Sequence, residues 1–306
     1  MLSVILPAYN EAQMIDSAMR RIHEILKEAK IPYEIIFVND GSTDGTKEEI
    51  EKAANLNSRV RGLCFSRNFG KEAAIYAGLA DAAGDCAVVL DCDLQHPPEK
   101  IVDMYRLWQD GYDVIEGVKK SRGKESKGHA FAVKGFYKLI SKATGVDMEN
   151  ASDFKLLDRK AIDTLINIPE KNMFFRAMSS WIGFKTISVE YDVAERTAGT
   201  TKWSTKSLFR YALSNITSFT TAPMELVTIL GIITFVTGLI LSVVALVQKI
   251  RGVALGGFTT VIILLCIFSS IIMISLGIIG FYIAKIYDEV KGRPRYIISE
   301  IIERKK

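Results

Sequence analysis

Two uninterrupted apolar runs constrain this chain more than any other feature: residues 226–247 and 258–284 carry no charged side chain. Each exceeds the roughly 20 residues that a helix rising about 1.5 Å per residue needs to cross about 30 Å of hydrocarbon. A helical hairpin buried in a soluble protein is the alternative, but two charge-free runs of this length favour membrane-spanning helices. Their flanks give an orientation. The connection 248–257 holds Lys249 and Arg251, whereas the segment after residue 284 holds Lys285, Lys291, Arg293, Arg295, Arg304, Lys305 and Lys306. The larger positive count belongs on the cytoplasmic side, so two spans predict a multi-pass protein of the cell (inner) membrane with both termini cytoplasmic.

The rest of the 306 residues reads as an ordinary globular sequence, with 24% charged residues and a net charge of +4. That charge is too mild for a dedicated nucleic-acid binder, and no basic stripe interleaved with aromatics appears in the first half. Cys64, Cys86, Cys92 and Cys266 form no CxxC pair, which argues against a zinc cluster or a disulfide framework and fits a reducing compartment. The first residues, MLSVILP, lack the basic start and long apolar core of a signal peptide. The expected division is therefore a cytoplasmic domain over 1–203, an interfacial amphipathic region over 204–223, a two-helix hairpin over 224–284 and a basic cytoplasmic tail over 285–306. The interfacial reading rests on Leu208, Phe209, Tyr211, Ile216 and Phe219. In the hairpin, Gly231, Gly238, Gly277 and Gly280 offer close-packing surfaces for a homo-oligomer.

The first 120 residues alternate short apolar runs with helical patterns. Residues 3–9, 33–39, 60–65, 86–90 and 114–118 read as strands, the fourth with nothing polar on either face. Between the first two, Ile15, Ala18, Met19, Ile22, Ile25, Leu26 and Ala29 recur at three and four to make one apolar helix face. Helices are also expected over 71–83 and from Pro97 and Pro98 to about residue 109. Further on, 151–157 and 184–193 read as strands, and 129–144, 159–166 and 173–181 as helical. The βαβ rhythm predicts a doubly wound α/β domain whose ligands bind at the carboxyl ends of its strands.

The chemistry-bearing residues fall at those ends. Asn10 and Glu11 follow the first strand, Asp40 the second, and Asp91 and Asp93 the fourth. The Asp91-x-Asp93 spacing lets two carboxylates reach one hard cation, Mg2+ or Mn2+, held jointly with substrate phosphates. Asp40 is placed to accept hydrogen bonds from a base or ribose. His96 lies beside Asp93 with no second His near, which favours packing over ligation. The glycines of DGSTDGT complete neither a P-loop nor a dinucleotide fingerprint, which argues against an ATPase or a nicotinamide oxidoreductase. The basic loop with Lys119, Lys120, Arg122, Lys124 and Lys127 reads either as a solvated face or as a contact for lipid phosphates, with Arg122 the best placed because a guanidinium binds phosphate bidentately.

Taken together, PAYNE (7–11), VNDGSTDGT (38–46), SRNFGKEAA (66–74) and LDCDLQHPPE (90–99) resemble the family 2 glycosyltransferases of GT-A fold. ASDFKLL (151–157) and RTAGTTKW (196–203), followed by two spans, narrow the resemblance to polyprenyl-phosphate glycosyltransferases, similar to dolichyl-phosphate mannose synthase and to bacterial bactoprenol glucosyltransferases. The resemblance covers nearly the whole chain.

It implies inverting transfer of a hexose from a nucleotide sugar, UDP-glucose or another UDP-hexose, to undecaprenyl or another polyprenyl phosphate. By position, Pro7, Tyr9, Glu11, Val38 and Asp40 would hold the nucleoside. Asp91, Asp93 and Gln95 would form the Mg2+ or Mn2+ site on the diphosphate, with Arg196 and Lys202 closing over the donor. Thr201 stands where the family often has Ser, which keeps the hydroxyl. Asp153 matches the position of a candidate base. Against this, an acceptor phosphate with a second pKa of about 6 needs little deprotonation. Arg122 would meet the acceptor phosphate. A flippase would be a separate membrane partner, because two spans are too few to make one. The rivals are a processive polysaccharide synthase, for which a QxxRW motif and more spans are missing, and a non-catalytic membrane scaffold on a nucleotide-binding fold.

Overall fold

The apolar strands lack an in–out alternation because both of their faces are covered. In the computed structural model, which describes residues 1–120, 152–170, 174–192, 222–252 and 257–304, β1 (Leu2–Ala8), β2 (Tyr33–Asn39) and β4 (Cys86–Val89) are buried almost throughout. β1 pairs in parallel with β2 on one side and β4 on the other, and β2 pairs in parallel with β3 (Val60–Phe65). Such doubly covered parallel strands are selected for continuous apolar character. The intervening helices are α1 (Ile15–Glu28), α2 (Thr46–Leu56), α3 (Lys71–Asp81) and α4 (Lys100–Gln109). α1 buries Ile15, Ala18, Met19, Ile22 and Leu26, five positions of the predicted stripe. α3 lies so close to the sheet that a Cβ on Gly78 would stand 2.3 Å from Ile5 Cγ2, so glycine is required there.

Beyond β4 the sheet is not purely parallel. Its order is β7-β5-β6-β4-β1-β2-β3-β8, with β5 (Val114–Lys119), β6 (Lys155–Asp158), β7 (Thr186–Tyr191) and β8 (Ile298–Ile302). β6 inserts antiparallel between β4 and β5, while β5 and β7 run parallel. Two short helices, α5 (Arg159–Asn167) and α6 (Phe175–Trp181), follow β6. Asp158 caps α5 by accepting the Lys160 N–H.

The chain divides into two compact units, Met1–Ser204 with Pro294–Lys306, and Thr205–Arg293. The second contains α7 (Ala222–Ile250) and α8 (Phe258–Val290). Within them Val227–Ile250 and Ile267–Val290 are long and apolar enough to cross a membrane. The segment after residue 284, expected as a basic tail, is organised differently. α8 continues to Val290, and Gly292, at φ +63°, and Pro294 follow its end. β8 then pairs antiparallel with β3, so residues that follow the second apolar helix complete an edge of the first unit's sheet. Ile302 is buried there, Ser299 Oγ donates to the Cys64 carbonyl at 3.0 Å, and Lys47 Nζ meets Glu300 Oε2 at 2.7 Å.

The candidate active site

Strand order reverses at β1: β2 and β3 follow on one side and β4 lies on the other, so the crevice beside β1 and β4 is the topological switch point where ligands of open α/β sheets bind. Three loops meet at this edge. The loop after β1 is zipped to the one after β2 by short polar side chains: Ser42 Oγ accepts the Asn10 N–H, Thr46 Oγ1 accepts the Glu11 N–H, and Asn10 Oδ1 accepts the Thr43 N–H, each at 2.9 Å. Asn10 adopts φ +56°, a left-handed conformation that asparagine tolerates. Gly41, at φ +63°, presses on the backbone of the third loop, where an added Cβ would lie 2.3 Å from the Arg67 carbonyl carbon.

Asp40 ties that third loop down. Its carboxylate is buried and accepts the Phe69 N–H at 2.6 Å and the Gly70 N–H at 2.9 Å. Burial pushes its carboxyl above the usual range, against the pull of those two N–H groups. The next residue, Lys71, opens α3, and its Nζ bridges Asp91 Oδ1 at 2.6 Å and Asp153 Oδ2 at 2.7 Å. Arg176 of α6 forks the same carboxylate, Nε to Asp153 Oδ1 at 2.7 Å and Nη2 to Oδ2 at 2.9 Å. Burial alone would raise the Asp153 carboxyl, but Lys71 and Arg176 outweigh it and hold it well below the usual carboxylate range. The Asp91 carboxylate, and then that of Asp153, hold the Lys71 ammonium above its ordinary value. Asp153 thus pairs with two cations at once.

The Asp91–Asp93 turn is shaped by Leu94, at φ +54°, and by Asp93 Oδ1, which accepts the Gln95 N–H at 3.1 Å. Among the described residues no three His, Cys, Asp or Glu side chains converge as a metal-holding group. The donor set of two carboxylates and the Gln95 amide consists of hard oxygens, and it fits a cation whose remaining ligands come from substrate phosphate and water. His96 packs rather than ligates: its ring stacks on Phe154 at 5.3 Å and meets Tyr191 edge-on at 5.4 Å.

The other expected residues are placed unevenly. Tyr9 is exposed at the rim and Pro7 is half-buried. Val38 is fully buried, so its side chain belongs to the core rather than to a ligand surface. Arg122, Arg196 and Lys202 lie outside the described residues, as do the region 204–221 and most of the basic loop. Lys71, Glu72 and Arg176 received no role from sequence, although SRNFGKEAA had marked the first two as part of a motif. Arg176, an arginine within the apolar run FFRAM, was the available signal for the third.

Residues 3–177, more than half of the chain, match the model described as Glycosyl transferase family 2. The chain belongs to that family. Its fold is accordingly the mixed α/β sheet of the GT-A type. Relatives of this family 2 glycosyltransferase match end to end. "Uncharacterized glycosyltransferase YkcC" of Bacillus subtilis is 39% identical, over 97% of this chain and 93% of the relative. "Prophage bactoprenol glucosyl transferase homolog" of Escherichia coli is 35% identical, over 98% and 99%. "Bactoprenol glucosyl transferase" of Shigella phage SfV is 35% identical, over 97% and 98%. Among solved structures, glucosyl-3-phosphoglycerate synthase from Mycobacterium tuberculosis is similar with a TM-score of 0.48 at 20% identity, over 71% of this chain and 79% of that one.

Proposed function

We propose that this family 2 glycosyltransferase transfers a hexose from a nucleotide sugar to a polyprenyl phosphate at the membrane surface, with UDP-glucose the first donor to test. The carrying observation is the end-to-end likeness to proteins named bactoprenol glucosyl transferase, which extends through both apolar helices. A polyprenol leaves the bilayer only at a cost of about 0.8 kcal/mol per exposed CH₂, so a catalyst anchored in the same membrane meets the acceptor at its headgroup. Even numbers of crossings return a chain to the side it left. That supports two spans with the catalytic unit and β8 both cytoplasmic, since β8 belongs to the catalytic sheet.

In the proposed reaction, an acceptor phosphate oxygen attacks the anomeric carbon from the face opposite the leaving group. A carbon–oxygen bond forms as the bond to the nucleoside diphosphate breaks, and the electron pair leaves with the diphosphate, giving inversion. With the phosphate largely ionised near neutral pH, no proton need be removed. Asp153 then serves by holding Lys71 and Arg176 in place beside Asp91, where two cations favour anionic groups in the transition state. Asp91, Asp93 and Gln95 would hold Mg2+ or Mn2+, which when bound neutralises charge on the departing diphosphate.

The test is purified full-length protein incubated with undecaprenyl phosphate and a panel of nucleotide sugars, with the mass of the lipid product as readout. One lipid-linked hexose from one preferred donor is the expected result. A long polymer, or no lipid product with any donor, would overturn the proposal.

A further inference from the structure

α6 starts without a cap of its own, since Phe174 makes no side-chain capping hydrogen bond. Its first N–H, that of Phe175, is taken by Glu72 Oε2 of α3 at 2.8 Å, across 103 positions of sequence. The residue after Phe175 is Arg176, which forks Asp153. The residue before Glu72 is Lys71, which holds the same carboxylate. Two adjacent pairs, Lys71–Glu72 on α3 and Phe175–Arg176 on α6, thus close a ring through Asp153. One turn further along α3, Tyr76 meets the Phe175 ring edge-on at 6.3 Å, a second direct contact between the two helices.

A second group holds α6 at Arg176 and at Ser179. Lys155 of β6 is fully buried, and its Nζ reaches Ser179 Oγ at 2.8 Å, the Arg176 carbonyl at 3.2 Å and Glu116 Oε1 at 2.9 Å. Lys155 thus holds the Arg176 carbonyl, and Glu72 holds the N–H of the residue before it. A bond that only stabilised α6 could fall on any of its early N–H groups. This one falls on the Phe175 N–H, one residue before Arg176.

We propose that Glu72 is a positioning residue for glycosyl transfer, acting through the Phe175 N–H to seat Arg176 on Asp153 beside Lys71. The inference rests on the glycosyltransferase reading above. It requires an acceptor oxygen at Glu72 and not a charge. Lys71 and Tyr76 of α3, Asp153 before β6 and Arg176 of α6 are the ionisable groups around it. Burial, and then the Asp153 charge, push the Glu72 carboxyl up to about 7 against Phe175, Arg176 and Lys71. Both of its protonation states present an oxygen to Phe175.

The experiment uses full-length protein in lipid nanodiscs with undecaprenyl phosphate and UDP-glucose, or whichever donor the panel selects. Glu72→Gln keeps the acceptor, Glu72→Leu removes it, and Glu72→Asp keeps the charge but withdraws it by one methylene. Gln is expected to stay within about threefold of wild type, while Leu and Asp lose about tenfold or more in kcat with donor KM nearly unchanged. Because Glu72 acts through Arg176, the double variant Glu72→Leu/Arg176→Ala should be no worse than Arg176→Ala alone. Additive losses, a fully active Leu variant, or a Gln variant as damaged as Asp would each overturn the proposal. If Leu does not fold, as judged by thermal melting, the Gln-against-Asp comparison decides alone. Wild-type protein that makes no lipid-linked hexose with any donor defeats the glycosyltransferase reading itself, whereas a fully active Leu variant beside an active wild type defeats only the inference.

Discussion

The Lys71 ammonium lies 2.6 Å from Asp91 Oδ1, joining the first turn of α3 to the end of β4 at the switch point of the sheet. Asp40 holds the two peptide groups just before Lys71, so the carboxylate at the end of β2 sets where the ammonium at β4 stands. Lys71 is thus held in place by the backbone as well as by its ion pairs. Lys71→Met, which keeps the length and removes the charge, is expected to lower kcat/KM for the donor by about 100-fold while leaving the melting temperature within a few degrees. Steady-state kinetics beside thermal melting measure both, and unchanged kinetics would remove Lys71 from the site.

Asp153 gives a second expectation, because a base and an anchor for cations respond differently to pH. With its carboxyl held far below the usual range, Asp153 does not titrate near neutrality. The wild-type kcat/KM for the acceptor should rise through about pH 6 with the acceptor's own phosphate ionisation and then level off. Asp153→Asn should lower the plateau without moving the midpoint. A midpoint displaced by the substitution would restore the role of proton acceptor.

These charged contacts also mark where sequence reading stops. The strands of the first half and the buried face of α1 were legible because burial on a regular element imposes a period on adjacent residues. The carboxylates Asp40, Asp91 and Asp93 were legible because each falls within a few residues of a strand's carboxyl end. By contrast, Lys71 and Asp153 meet across 82 positions, and Glu72 and Phe175 across 103, so no local pattern encodes either pair. The leucine pair in KLLD says that β6 is buried but not that it runs antiparallel between β4 and β5. Val38 was assigned to the nucleoside by motif position, yet its side chain faces the core, because a motif does not distinguish residues that line a ligand from those that support the strand.

Glu72 makes the pH dependence of stability testable. Its folded-state carboxyl lies near 7, above the value of about 4.3 for an unperturbed Glu, so the folded chain retains a proton that the unfolded chain has already released. Its contribution is fully present below the unfolded value and is lost as pH rises through the folded one. Glu72→Gln removes that dependence. The melting temperature of the variant relative to wild type should therefore climb between about pH 5 and about pH 8. A constant gap across this range would contradict the raised carboxyl.

The final expectation concerns β8, the strand that follows the second apolar helix and pairs with β3. Removing residues 294–306 would expose β3 as an open edge and uncover the contacts of Ile302, which is buried. It would also delete Arg295, whose guanidinium lies 5.4 Å from the centre of the Tyr76 ring and donates to the Ile168 carbonyl. Tyr76 in turn touches Phe175 at the start of α6, so the loss reaches the side of the unit that carries Arg176. Protein truncated after Arg293 should melt at lower temperature and be cut faster by protease within its first unit, even though both apolar helices are intact. Arg295→Ala separates the two effects: it leaves β8 paired and should lower transfer more than it lowers the melting temperature. If truncation at Arg293 changes neither melting nor proteolysis, β8 is an ornament on the edge of the sheet and not part of the catalytic unit.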